Sequence, residues 1–167
     1  QQKNILKVAR LIDIDKKYSA QEIDDLYKQS IQMQYMDQEG QLHDDSKEGR
    51  YILYLHIKNR RVESYIMPIS GYGLWSTLYG YFAVEGDGKT VKGITFYAHG
   101  ETPGLGAECE ADWFQSNFVG KKIVDESGRF VSIGIAKGKA ANSVPQNKRA
   151  YYVDGISGAT VTSRGID

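Results

Sequence analysis

The segment from Ser76 to His99 constrains the fold more than any other part of the chain. It reads "STLYGYFAVE", then "GDGK", then "TVKGITFYAH". The two flanking runs read as the strands of a hairpin. Asp87-Gly88 between them is a strong hairpin-turn signal. One hairpin cannot stand alone in water, so further strands and covering helices are required. Upstream, Tyr51, Leu53, Leu55 and Ile57 alternate, as does the run from Val62 to Met67, with "KNRR" between them. This predicts a second hairpin. The chain's 12 tyrosines and 18 glycines suit strands and tight turns better than a helical bundle.

Two helices are predicted ahead of the hairpins. Ile5, Val8, Ala9 and Ile12 share one face of a short helix. Ser19 and Glu22 have the spacing of a capping box, and Ile23, Leu26, Tyr27, Ser30 and Ile31 follow along one face. After the second hairpin come a Gly-rich loop, "GETPGLGAE", and a helix through Trp113 and Phe114 to about Phe118. Phe130 to Ala136 alternates as a strand, "AKGKAANSVPQNK" is a lysine-bearing loop, and Tyr151 to Val153 is a short strand. No repeat, low-complexity tract or linker interrupts the 167 residues. The fold class is therefore α+β: a single domain, residues 1–167, with a mostly antiparallel sheet built from hairpins and flanking helices.

Several chemistries are disfavoured. Lys plus Arg and Asp plus Glu both number 21, so the basic surplus of a nucleic-acid binder is missing. His43, His56 and His99 have no metal-ligand spacing, and no metal site is expected. Cys109, the single cysteine, reads as a half-buried thiol. "GDGKT" sits in a hairpin turn and lacks the earlier glycine of a phosphate loop. No Ser-His-Asp order and no paired catalytic carboxylates stand out, so no catalytic residue is assigned. Lys137, Lys139 and Lys148 read as a solvated loop, with pairing to a phosphate as the alternative.

Two stretches carry the functional signal. In "DGISGATVTSRG", Asp154 to Gly165, Ser157 suits an N-cap and would place Thr160 at the third helical position. Gly158 and Ala159 are small enough for close approach, and a helix start favours an anion such as phosphate. A merely well-capped helix explains the same residues. In "HGETPGLGAE", Pro103 fixes the loop, while Gly104 and Gly106 let backbone lie against a flat ligand. Leu105 is an apolar loop tip, and Glu101 and Thr102 can hydrogen-bond a ring edge. An ordinary tight turn is the alternative. Leu74 and Trp75 either pack on such a ring or belong to the core of the sheet.

Together, "ETPGLG" and "SGATVTS" resemble the covalent FMN-binding domains of ion-pumping respiratory complexes. Over "GYGLWSTLYGYFAVEGDGKTVKGITFYAHGETPGLGAE" the likeness is to the Na+-translocating NADH:quinone reductases, in their FMN-carrying subunit with a single membrane helix. "QQKNILKVA" is similar to the segment that follows that helix. The sister subunit of the Rnf complexes shares "ETPGLG" and the acceptor motif but not "GLWSTLYG". The resemblance implies FMN joined by a phosphoester to the last threonine of D-x-x-S/T-G-A-T, which is Asp154, Ser157, Gly158, Ala159 and Thr160 here. Spacing alone leaves Thr162 open.

Further expectations follow from the same likeness. Glu101, Thr102, Gly104, Leu105 and Gly106 would contact the ring, and Ser157 to Thr160 would hold the phosphate. A separate flavin transferase that uses FAD would make the bond. The partners would be the other subunits of the complex, and the chain would be a redox subunit with no stand-alone catalysis. It would lie on the periplasmic face of a bacterial inner membrane. An N-terminal membrane helix and a C-terminal segment would lie outside these residues. The alternatives are a subunit of an Rnf-type ferredoxin:NAD oxidoreductase and an unmodified, non-redox binding module of the same fold.

Overall fold

The computed structural model describes residues 1–159 and 166. Helix α1 (Gln2–Val8) buries Ile5, Leu6 and Val8. Helix α2 (Ala20–Ser30) begins at Ser19, whose hydroxyl accepts the Glu22 N–H at 3.1 Å, while the Glu22 carboxylate accepts the Ser19 N–H at 2.7 Å. This is the predicted capping box, which satisfies two otherwise orphaned donors. Ile31, predicted on the helical face, instead leaves the helix in an extended conformation and opens β1 (Ile31–Met36). β2 (Leu42–His43) completes that edge.

β3 (Tyr51–Lys58) and β4 (Arg61–Tyr72) form the first predicted hairpin, and β5 (Thr77–Glu85) and β6 (Val91–Ala98) the second. The sheet has six strands in the order β2-β1-β3-β4-β5-β6, each pair antiparallel. Asn59 and Arg60 turn β3 into β4 with positive φ of 51° and 60°, the twist a two-residue hairpin needs. In the β5–β6 turn the Asp87 carboxylate accepts the amides of Lys89 and Thr90 at 2.8 and 2.9 Å, and Gly88 takes φ 68°.

Alternation along the strands divides the core between two faces. Tyr54, Ile66, Tyr81 and Ala83 lie on the face covered by Ile5 and Val8 of α1 and by Ala9 just after it. Leu78, Ile94 and Phe96 face the later half of the chain, where Cys109, Phe114, Phe118, Val153, Ile156 and Ala159 cover them. Ile166 also packs on this second cluster.

The later half departs from expectation in detail. The helix predicted through Trp113 is a 3₁₀ turn (Gly106–Glu110) followed by a short α3 (Asp112–Ser116). Ala111 is extended and breaks the two apart, and the buried Gln115 side chain donates to the Cys109 carbonyl at 3.2 Å. Of the strand predicted over 130–136, only β7 (Gly134–Ile135) forms, parallel to β8 (Tyr152–Val153). Phe130 instead stands 75% exposed, in a lone bridge with Val124. The "AKGKAANSVPQNK" loop holds a four-residue helix α4 (Ala140–Ser143) and the start of a 3₁₀ turn (Gln146–Tyr151). Cys109 is fully buried rather than half-buried.

This layout gathers the functional stretches. Tyr72 pairs with Thr77 and Tyr79 with Ala98, so the loops that follow β4 and β6 emerge at one end of the sheet. Cluster contacts bring the segment after β8 to the same region.

Candidate functional site

Glu101 organises the two loops. Its side chain is buried, and its carboxylate accepts the backbone N–H groups of Leu74 and Trp75 at 3.2 and 3.1 Å. Hydrogen bonds to a charged acceptor are about twice as strong as neutral ones, so this is a firm anchor. Gly73 makes room for it, since a Cβ there would lie 2.3 Å from Glu101 Oε1. The Trp75 indole N–H donates to Thr102 Oγ1 at 3.1 Å, and the Gly100 N–H donates to Ser76 Oγ at 2.5 Å. The loop then folds back on itself, with Thr102 O accepting from the amides of Leu105 and Ala107 at 3.1 and 3.2 Å. Gly104 takes φ 73°, a conformation an L side chain resists.

The second stretch meets the first. Gly158 has φ 71°, and a Cβ built on it would stand 3.0 Å from Leu105 Cδ2. The tip of "ETPGLG" therefore touches the glycine of "SGAT". Asp154 anchors the approach: its carboxylate accepts the Ala140 N–H at 2.8 Å and pairs with Lys139 Nζ at 2.9 Å. Burial pushes its pKa up, but the bonds to Lys139 and Ala140 and the nearby lysine charges outweigh this and hold it below the ordinary carboxylate range. Gly155 lies so close to Ala136 that a Cβ would sit 2.1 Å from its carbonyl oxygen.

Around this junction, apolar side chains stand exposed. Trp75 is 67% exposed, Leu74 56% and Leu105 43%. Leu74 and Trp75 are thus not core residues of the sheet, which removes the alternative the sequence leaves open for them. Ser157 and Gly158 are exposed, whereas Ala159 and Gly106 are buried, so those two shape the backbone from beneath. Thr160 and Thr162 lie outside the described residues, but Ser157 does not cap a helix that begins at Gly158: Gly158 takes φ 71°, in a turn where the Ala159 N–H donates to the Ile156 carbonyl at 3.3 Å. The structure also adds Gly73, Ser76 and His99 to the site, none of which the motifs single out as cofactor-binding. The "GYGLWS" glycine beside an exposed tryptophan is the available signal for the first of these.

Residues 73–167 match the family described as FMN-binding domain. A crystal structure from the Na+-translocating NADH-quinone reductase of Parabacteroides distasonis, of the NqrC-type subunit, superposes with a TM-score of 0.81 at 32% identity, covering 99% of this chain and 83% of that one. The chain belongs to the FMN-binding domain family, as an NqrC-type member. A second solved structure, Shewanella oneidensis NqrC, gives a TM-score of 0.79 at 25% identity over 99% of this chain and 86% of that chain. The corresponding subunit of the Pseudomonas aeruginosa reductase is 45% identical over 116 residues, which is 69% of this chain and 43% of the relative. The Chlamydia trachomatis subunit is 40% identical over 135 residues, 75% of this chain and 43% of the relative. The chain thus spans less than half the length of these curated relatives.

The site suits the family's cofactor on its own geometry. An FMN-binding domain must present apolar surface to a flat ring and backbone freedom to a phosphate. Leu74, Trp75 and Leu105 offer the first, exposed on a braced scaffold. Gly158, exposed and left-handed, offers the second. Cys109 takes no part: burial foremost, then the charges of Glu110 and Glu101, pushes its thiol up to about 12.

Proposed function

We propose that this chain is the electron-carrying domain of the NqrC-type subunit in a Na+-translocating NADH:quinone reductase, with FMN esterified through its phosphate to Thr160. One observation carries the reading: Leu105 of the ring-contact loop packs against Gly158 of the acceptor motif. Stretches more than fifty residues apart in sequence meet where a single tethered flavin would need both. The kinship with NqrC-type structures over nearly the whole chain favours this over the Rnf alternative.

Each residue then has a task. Glu101 fixes the Leu74–Trp75 turn, and Leu74, Trp75 and Leu105 would present apolar surface to the ring and keep water from it. Thr102 and the backbone of Gly104 and Leu105 would border the ring edge, with the buried Gly106 supporting the loop beneath them. Ser157 to Ala159, with Gly158 in a left-handed turn, would hold the phosphate. Bound FMN supplies reversible one- and two-electron chemistry, and the protein supplies position and electrostatics. A covalent tether suits a relay, since a carrier that meets two partners keeps its cofactor between encounters.

In maturation, a flavin transferase would present FAD. The Thr160 oxygen would bond to the FMN phosphorus as the phosphoanhydride breaks, with AMP leaving and the hydroxyl proton passing to solvent. The partners are the remaining subunits of the complex and that transferase. The domain lies on the periplasmic face of a bacterial inner membrane, anchored by a helix outside these residues. Among the described residues no helix is long and apolar enough to cross a membrane.

The test is production with the transferase. The wild-type chain gains the mass of FMN less water and turns yellow, and Thr160→Val gains neither. Added mass in Thr160→Val together with its loss in Thr162→Val would move the attachment site. A colourless, unmodified wild-type chain from the same cells would support the non-redox binding module instead.

A further inference from the structure

His99 stands at the exit of β6, between the ring-contact loop and the 3₁₀ turn. Its Nδ1 accepts the backbone N–H of Glu101 at 3.2 Å. Its Nε2 lies 3.3 Å from Glu110 Oε1, and only 10% of the side chain is exposed. A ring nitrogen that accepts a hydrogen bond carries no proton, so this arrangement leaves the neutral ring's hydrogen on Nε2, which lies near the Glu110 carboxylate without a hydrogen bond to it. A proton on Nδ1 would set two N–H donors against each other.

What Glu101 holds gives that bond its consequence. Fixing the Glu101 backbone aims its buried carboxylate at the amides of Leu74 and Trp75, and Trp75 in turn reaches Thr102. A continuous series of hydrogen bonds thus runs from the imidazole to the exposed indole. We propose that His99 is a positioning residue for the cofactor loop: its unprotonated Nδ1 holds Glu101 and through it Leu74 and Trp75, and protonation at Nδ1 releases them. The proposal rests on the FMN reading only for what Leu74 and Trp75 face.

Two groups face the ring nitrogens: Glu110 Oε1 lies 3.3 Å from Nε2, and the Glu101 N–H donates to Nδ1. Glu101 adds negative charge nearby, felt with that of Glu110 at Cys109. The Cys109 thiol, pushed up to about 12, stays neutral. Glu108 is turned away and accepts the Trp113 indole N–H at 3.1 Å.

The experiment is a set of ¹H–¹⁵N spectra of the flavin-free chain, titrated from about pH 8 to about pH 5. The amides of Glu101, Leu74 and Trp75 are expected to shift together, with the midpoint of the His99 ring. In His99→Asn, whose amide oxygen can replace Nδ1 as acceptor without titrating, these shifts are lost. In His99→Leu the three resonances are displaced from wild-type positions at every pH; should that variant not fold, the Asn variant decides. Leu74 and Trp75 amides that stay fixed while His99 titrates, or that titrate unchanged in His99→Asn, overturn the proposal. Because no flavin is present, failure of the cofactor reading leaves this test intact.

Discussion

At the scale of single residues, the site depends on one buried carboxylate. Glu101 accepts two backbone amides that lie on a different loop. An amide in its place can offer one acceptor but sets an NH₂ against the other donor. Glu101→Gln is therefore expected to destabilise the chain by about 2 kcal/mol, measured as a lowered urea midpoint with unchanged slope. Asp154 acts similarly below the acceptor motif, and here pH gives the test. Its pKa is lowered in the folded chain, so its contribution is present above the ordinary carboxylate range and lost as pH falls through the folded value. Asp154→Asn should cost about 1 kcal/mol at neutral pH. That cost should shrink toward zero on acidification, as urea unfolding at a series of pH values would show. A cost that does not change with pH would mean the carboxylate charge is irrelevant there.

At the scale of elements, what the sequence could show depended on how local each determinant is. The capping box at Ser19 and the two hairpin turns are short-range chemistry, readable from adjacent residues. β1 is not, because "IQMQYM" carries a weak pattern and takes its strand character from pairing with β3. β7 has only two residues because its parallel partner β8 offers no more, which no local pattern foretells. At the site, "ETPGLG" and "SGAT" are visible as motifs. Their contact through Leu105 and Gly158 is not, since it depends on how the chain returns after β8. Nor can spacing indicate that Glu101 turns inward to hold Leu74 and Trp75, or that His99 holds Glu101.

At the scale of the whole molecule, a single sheet carries both halves of the core. α1 closes one face, and the segment bearing the site closes the other. Elements sharing a sheet in this way should unfold together. Trp75 lies in the β4–β5 loop and Trp113 in α3, while α1 and α2 supply most of the α-helix among the described residues. Indole fluorescence and far-UV circular dichroism therefore report on opposite sides, and one coincident urea transition is expected from them. Two separated transitions would divide the chain into two folding units.

The central claim is that this scaffold exists to hold a flavin on one particular hydroxyl. The most direct measurement is fragmentation of the peptide from Ala150 to Arg164, released from protein made alongside the transferase. The account predicts that the FMN mass stays with fragments containing Thr160 and is absent from those ending at Ala159. Mass found on Ser157 or Thr162, or nowhere on the peptide, would contradict it.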